Sequence, residues 1–398
     1  MHLEKLILTH FKNYASQSLT FSEGINCFVG LNGMGKTNLL DAIYYLCMCK
    51  SYFLSSDTDV IQLTSERDVS GAIEPVKRAD FMRLEGHFQK NKRREKIVAK
   101  VQPRKKKMIE KNDVLYAGLS DHIGFLPVVM FAPDDTLLAK EGSEERRRFV
   151  DTALSQIDNQ YLTNLIFYNK ILEQRNALLK KKDENGANAL VKPETVTANG
   201  AWQEELLDVY DQQMNDPAQY IFEKRRAFID IFTPVFNTIY KKISGEREAV
   251  KIIYNSSLVG DSLTNLIKKS REKDRILQRT TVGIHKDDLM FEIDDKPLKR
   301  FGSQGQLKSF VISLKLAQYE ILRGAKQETP ILLLDDIFDK LDDERVHNFL
   351  QLIVNQSFGQ IFITDTHAGR INDIIKKLHP DFKIFTIEKG VIVESYEL

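Results

Sequence analysis

Apolar and polar positions alternate along the first thirty residues in a strand-like way. Leu3, Leu6 and Leu8 precede Phe11-Lys12-Asn13-Tyr14, and then come Leu19, Phe21 and the apolar run Ile25-Asn26-Cys27-Phe28-Val29. That run enters Gly30 directly, and helical spacing resumes at Leu39, Leu40, Ile43 and Leu46. The pattern predicts two strands, a third strand, a glycine-rich turn and a helix. Over 80–130 the pattern reads as β-hairpins, with Phe81, Leu84 and Phe88, then Ile97-Val98-Ala99, then a strand Pro127-Val128-Val129-Met130-Phe131.

From Ser143 the period changes to 3.6. Val150, Leu154, Ile157, Tyr161, Leu165, Tyr168 and Leu172 predict one long amphipathic helix capped by Ser143 with Glu144 and Glu145. Residues 180–200 are polar and broken by Gly and Pro, a tip between helices. Trp202, Leu206, Val209 and Tyr210 begin a return helix, and Asp216-Pro217 starts another carrying Tyr220, Ile221, Phe228, Ile229 and Phe232. After about residue 275 strand–helix alternation returns. The expected architecture is therefore α/β: a discontinuous core domain at 1–142 and 275–398, with a helical arm inserted at 143–274. The tip is short, so the arm is a bundle rather than an extended coiled coil.

Composition narrows this little. The chain has 398 residues, 57 Lys+Arg against 56 Asp+Glu, and 42% hydrophobic residues, so any nucleic-acid affinity must come from local patches. Cys27, Cys47 and Cys49 have no ligand spacing and are expected to be buried thiols of a reducing compartment. No run approaches the ~18 uncharged apolar residues of a membrane helix, so a cytoplasmic protein without membrane contact is expected.

Three motifs carry chemistry. Gly30-Leu31-Asn32-Gly33-Met34-Gly35-Lys36-Thr37 fits G-x-x-x-x-G-K-[ST] between an apolar strand and a helix. Its glycines let backbone N–H groups curl around the phosphates of ATP. Lys36 faces the β- and γ-phosphates, and Thr37 offers its hydroxyl to Mg²⁺. Ile331-Leu332-Leu333-Leu334 ends in Asp335-Asp336, which assigns Asp335 to Mg²⁺ and Asp336 to the attacking water. Asp336 is one methylene shorter than the alternative Glu, which predicts slow turnover. Gly302-Ser303-Gln304-Gly305-Gln306 opens a helix carrying Leu307, Phe310, Val311 and Leu314. A serine hydroxyl, a glycine backbone and a helix N-terminus form a second anion site. A head-to-tail homodimer, in which Ser303, Gly305 and Gln306 of each copy close the ATP of the other, is the economical way to use it. Asp339-Lys340-Leu341-Asp342 is either a loop or a contact between nucleotide sites. His367, at the end of Ile361-Phe362-Ile363-Thr364-Asp365-Thr366, is a candidate γ-phosphate sensor. Asn38 is expected to have no role of its own, and His285 to be structural or dimer-facing.

Ten basic residues crowd positions 89–107, opposed within that stretch only by Glu95. Arg93, Arg94 and above all Lys105, Lys106 and Lys107 are the candidate contacts to DNA phosphates. No zinc finger or recognition helix appears, so binding is expected to be independent of sequence.

GLNGMGKT, FGSQGQ, LLLLDD and KLDDER together resemble the ABC-type heads of the chromosome-maintenance superfamily. Within it, Phe11-Lys12-Asn13-Tyr14, Phe131-Ala132-Pro133-Asp134-Asp135, Arg146-Arg147-Arg148-Phe149-Val150-Asp151, Glu173-Gln174-Arg175-Asn176-Ala177-Leu178-Leu179 and Gly283-Ile284-His285-Lys286-Asp287-Asp288-Leu289 resemble the RecF family of bacterial replication and repair ATPases. The resemblance covers essentially the whole chain. It implies an ABC-type head with a mixed sheet, ATP-driven dimerisation and Lys12 and Asn13 at the nucleotide. It also implies binding to single-stranded or duplex DNA and their junctions, cooperation with RecO and RecR, and roles in recombinational gap repair and SOS induction. Ile284 and Lys286 stand where that family usually has Pro and Arg. An alternative is a nucleotide-gated DNA clamp in which hydrolysis only resets binding.

Overall fold

The computed structural model describes residues 1–64, 77–180, 198–245, 247–337, 348–349, 351–352, 358–366 and 382–397. The chain divides into two units: Met1–Ala139, Val235–Glu248 and Gly302–Leu398 form the first, and Lys140–Pro234 and Ala249–Phe301 the second.

The first unit holds two six-stranded sheets. One runs in the order Val128–Phe131, Ile331–Leu334, Ile361–Asp365, Ile25–Val29, Phe382–Glu388, Val391–Glu397. Its first five strands are parallel, and the last closes an antiparallel hairpin. The sheet is therefore mixed, as expected. Ile331–Leu334 and Ile25–Val29 are buried along their length, which is why they read as continuous apolar runs without alternation. The other sheet is antiparallel: Tyr14–Thr20, His2–Phe11, Met82–Lys90, Arg93–Val101, Met108–Lys111, Val114–Leu115. Helix Lys36–Met48 touches strands of both sheets. Its Leu39, Leu40, Ala42, Ile43, Tyr45 and Cys47 are fully buried, so it is apolar on nearly every side rather than striped. The sequence pattern groups Val128–Phe131 with the hairpins, but the strand lies parallel to Ile331–Leu334. A short apolar run reveals a strand without revealing its partner.

The second unit contains helices Ser143–Ile157, Asn159–Leu179 and Leu263–Leu277, much of helix Ala198–Ser244, and a three-stranded antiparallel sheet of Val250–Asn255, Asp288–Ile293 and Lys296–Pro297. Residues 275–301, grouped by sequence with the ATPase domain, fall in this unit, because Asp288–Ile293 pairs with Val250–Asn255. The expected single helix from 143 is two, broken at Asp158, whose side chain caps the second by accepting from Tyr161 N at 3.0 Å. Gly142, not Ser143, holds the first cap position. Conversely, the break expected at Asp216-Pro217 is absent. Helix Ala198–Ser244 runs through Pro217 and Pro234. An interior proline costs ~3 kcal/mol, and burial of Met214, Ala218 and Ile221 around Pro217 offsets it. The expected tip at 180–200 lies largely outside the described residues.

Candidate functional site

Strand Ile25–Val29 sits between Ile361–Asp365 and Phe382–Glu388, so the turn that follows it leaves the carboxyl edge of a parallel sheet, where α/β folds bind ligands. The turn needs its glycines for space as well as conformation. A Cβ on Gly30 would lie 2.5 Å from the Ile387 carbonyl oxygen, and one on Gly35 (φ 111°) 2.4 Å from Asn13 Nδ2. Gly35 precedes helix Lys36–Met48 without any side-chain cap, so no side chain competes for the first amides of that helix.

Lys36 is 4% exposed, and its Nζ donates to the carbonyls of Gly30 (2.8 Å) and Leu31 (3.1 Å). A bound phosphate would replace these neutral acceptors with charged ones, which hydrogen-bond more strongly. The Thr37 hydroxyl donates to Asp335 Oδ1 at 2.9 Å or Oδ2 at 3.0 Å, and Thr364 Oγ1 donates to Asp335 Oδ1 at 2.7 Å. A strand end 298 residues away in sequence thus brings Asp335 to Thr37. Burial pushes the Asp335 carboxyl up to about 6. The neighbouring Asp336 charge adds to this, while the two hydroxyl hydrogen bonds pull the other way. Asp336 is half-buried in the left-handed region (φ 43°), and its N–H donates to Thr364 Oγ1 at 2.9 Å. Thr364 therefore orders both aspartates, a role its sequence did not reveal. The hydroxyl and the carboxylate are hard oxygen donors and few in number, which suits Mg²⁺, an ion that keeps waters and phosphate oxygens in its shell. Among the described residues no group of three or more His, Cys, Asp or Glu could hold a metal on its own.

Lys12 and Asn13, expected beside the nucleotide, are occupied in supporting it. Lys12 Nζ pairs with Asp41 of the loop's helix at 2.7 Å. Asn13 Nδ2 donates to Met34 O at 3.1 Å, and its Oδ1 accepts from Asn38 Nδ2 at 2.7 Å. Asn38 thus has a function that one sequence could not show, since its partner lies 25 residues away.

Ser303 is exposed and caps helix Gln304–Lys326. Its hydroxyl accepts from Gln306 N (3.2 Å), Gln306 Oε1 accepts from Ser303 N (2.7 Å), and Gln306 Nε2 donates to Glu248 Oε1 (3.0 Å). Gln306 is therefore held within its own chain by a reciprocal cap, and Gly305 is half-buried beside it. His367 and the segment Asp339-Lys340-Leu341-Asp342 lie outside the described residues.

The basic stretch separates into paired and unpaired cations. Lys90 pairs with Glu328, Lys96 with Asp113, Lys100 with Glu110 and Arg94 with Glu4. Lys107 reaches inward, to the Cys49 carbonyl (2.6 Å) and to Asp57 (2.8 Å), so it is structurally engaged rather than offered to solvent as expected. Lys92, Arg93, Arg104, Lys105 and Lys106 are exposed and form no ion pair among the described residues. The three cysteines are buried and free, with thiols pushed up by burial.

Three of the motifs outside the ATPase set, those beginning at Arg146, Glu173 and Gly283, lie in the second unit. Arg147 Nη1 donates to Asp287 O (2.7 Å), and Arg146 pairs with Asp288 (2.7 Å). Arg175 pairs with Asp211 (2.7 Å) and Asp274 (2.9 Å), and Asn176 Oδ1 accepts from Thr280 N (2.7 Å). His285 is structural. It accepts from the Tyr168 hydroxyl at Nδ1 (2.8 Å) and donates from Nε2 to Thr280 O (3.2 Å), and burial pushes it down to about 4, which keeps it neutral.

A phosphate loop on the central strand of a mixed sheet, an acidic strand end against its threonine, and a serine-capped signature helix define an ABC-type ATPase head. The RecF/RecN/SMC N terminal domain model matches residues 2–392. The DNA replication and repair protein RecF of Flavobacterium johnsoniae is 43% identical over 388 residues, covering 97% of this chain and all of that one. That of Phocaeicola vulgatus is 40% identical over 400 residues, with both chains fully covered. A solved structure of the recombination mediator protein RecF with ATP in the RecFOR pathway aligns with TM-score 0.80 and 28% identity over 100% of this chain and 97% of that one. An Smc head from Pyrococcus furiosus, at TM-score 0.55 and 18% identity over 100% of this chain and 96% of that one, shares the fold. The chain belongs to the RecF family of DNA replication and repair proteins.

Proposed function

We propose that this protein is an ATP-driven DNA-binding protein of replication, recombinational gap repair and SOS induction, which dimerises around nucleotide and hydrolyses it slowly in a DNA-dependent way. The observation that carries this is the meeting of Thr37, Asp335 and Thr364 beside the phosphate loop. Lys36 and the loop amides bind the phosphates. Thr37 and Asp335 would hold Mg²⁺, which would neutralise charge on the phosphate oxygens. Asp336 orients the attacking water. His367 is the γ-phosphate sensor. Exposed Ser303, at the start of helix Gln304–Lys326, supports a second site closed by another copy of the chain. Lys12 and Asn13 act through the loop they support.

DNA lies against the unpaired cations, Arg93, Lys105 and Lys106 first, with Arg94 and Lys107 held back by their partners. Cooperation with RecO and RecR is supported by similarity to a protein of the RecFOR pathway. No helix among the described residues is long and apolar enough to cross a membrane, and the three free buried cysteines support a cytoplasmic location.

Sedimentation with and without ATP and DNA tests the dimer. Wild type is expected to dimerise only with ATP, and Ser303→Arg to remain monomeric. A wild-type monomer under all conditions would refute the reading. Reversing Lys105 and Lys106 to Glu should weaken DNA binding at least tenfold and flatten its salt dependence by about two counterions. Unchanged affinity across several salt concentrations would move the DNA site elsewhere.

A further inference from the structure

The turn between the last two strands, Lys389-Gly390, belongs to no motif in the sequence, yet it touches the phosphate loop. Gly390 N donates to Met34 O at 2.9 Å, and Lys389 N approaches Met34 Sδ at 3.2 Å. Met34 O also accepts from Asn13 Nδ2 at 3.1 Å, so one loop carbonyl is held by two donors from two distant turns. The next carbonyl, Gly35 O, accepts from the Tyr14 hydroxyl at 3.0 Å as well as from the helix amides of Asn38 and Leu39. The turns are wedged together. Gly390 has φ 77°, and a Cβ there would lie 2.5 Å from Asn13 O.

A trans peptide sends its carbonyl and the following N–H to opposite sides, and no cis bond occurs among the described residues. Anchoring Met34 O and Gly35 O therefore aims the amides of Gly35 and Lys36 away from these turns. We propose that Asn13, Tyr14 and Gly390 form a clamp that presets the Gly35 and Lys36 amides for the phosphates of ATP, making the C-terminal hairpin turn a positioning part of the nucleotide site. The clamp rests on the reading of this loop as an ATP site. It adds that the loop's geometry is set before nucleotide arrives, by a segment more than 350 residues away in sequence. Preset amides bind ground and transition state alike, so their loss raises KM and leaves kcat unchanged.

Steady-state ATP hydrolysis by full-length wild type, Gly390→Ala, Asn13→Ala, Tyr14→Phe and the Gly390→Ala/Asn13→Ala double variant tests this. Gly390→Ala and Asn13→Ala are each expected to raise KM for ATP about tenfold, with kcat within about twofold of wild type. Tyr14→Phe should raise it less, because Gly35 O keeps its helix donors. The double variant should be little worse than Gly390→Ala alone, because both changes act on one carbonyl. A general structural defect would instead reduce the active fraction, lowering kcat at unchanged KM, and that outcome overturns the clamp. Unchanged KM in folded Gly390→Ala does the same. If Gly390→Ala does not fold, unchanged KM in both Asn13→Ala and Tyr14→Phe is decisive against it. Wild type unable to bind ATP would refute the nucleotide site itself, a result distinct from any of these.

Discussion

Two buried charges, one in each unit, are compensated in opposite ways. In the second unit Arg225 is 3% exposed and fully paired: it meets Asp151 at 2.9 Å and Asp287 at 2.8 Å, and donates to Ile284 O at 2.8 Å. In the first unit Asp335 is equally buried, but its hydrogen-bond partners are two hydroxyls beside a second carboxylate, and the Lys36 charge acts on it only from beyond ion-pair distance. A buried arginine between aspartates is internally compensated and serves the fold. A buried aspartate without a cation costs the fold something, and that cost makes sense where a ligand ion supplies the missing charge.

Removing one member of each cluster should therefore move stability in opposite directions. Arg225→Ala leaves Asp151 and Asp287 uncompensated and should cost about 3–5 kcal/mol in chemical denaturation at neutral pH. A loss below about 1 kcal/mol would mean that the pairs are no better than surface ones. Asp335→Asn should instead stabilise the nucleotide-free protein at pH 8 by roughly 2 kcal/mol, while abolishing Mg²⁺-dependent ATP turnover. The pH dependence sharpens this contrast. The folded Asp335 carboxyl keeps its proton to about 6, against 3.8 for an unperturbed one, so its contribution to stability is complete below about pH 4 and is lost as pH rises through 6. The stabilisation by Asp335→Asn should accordingly vanish below pH 4. Equal stabilisation at pH 3.5 and 8 would show that the effect is not titration. The smallest effect is at His285. Tyr168→Phe removes the donor to its Nδ1 and should cost about 1 kcal/mol without altering ATP hydrolysis.

Much of the nucleotide site was legible, because its chemistry is local. The loop, its lysine and its threonine are consecutive, and the two aspartates end an unmistakable apolar strand. What the motifs could not show is what holds them. Asn38, Thr364 and Gly390 act through partners 25, 28 and 356 residues away. Lys107 looked like its neighbours Lys105 and Lys106, and only the position of Asp57 and the Cys49 carbonyl separates it from them. Likewise Pro217 reads as a helix start, since propensity is local, whereas the burial that carries helix Ala198–Ser244 through it is not.

By itself, the sequence determined the phosphate loop, the acidic strand end and the helix start at Ser303, because each is a contiguous run, and the family, because such runs follow one another in a set order. Tertiary structure alone decided which sheet Val128–Phe131 and Asp288–Ile293 join, which basic residues stay unpaired, and that the last hairpin turn grips the phosphate loop. Those outcomes depend on contacts between segments far apart in the chain, and hydrogen-bond partners, unlike periodicity, leave no trace in the residues on one side of the pair alone.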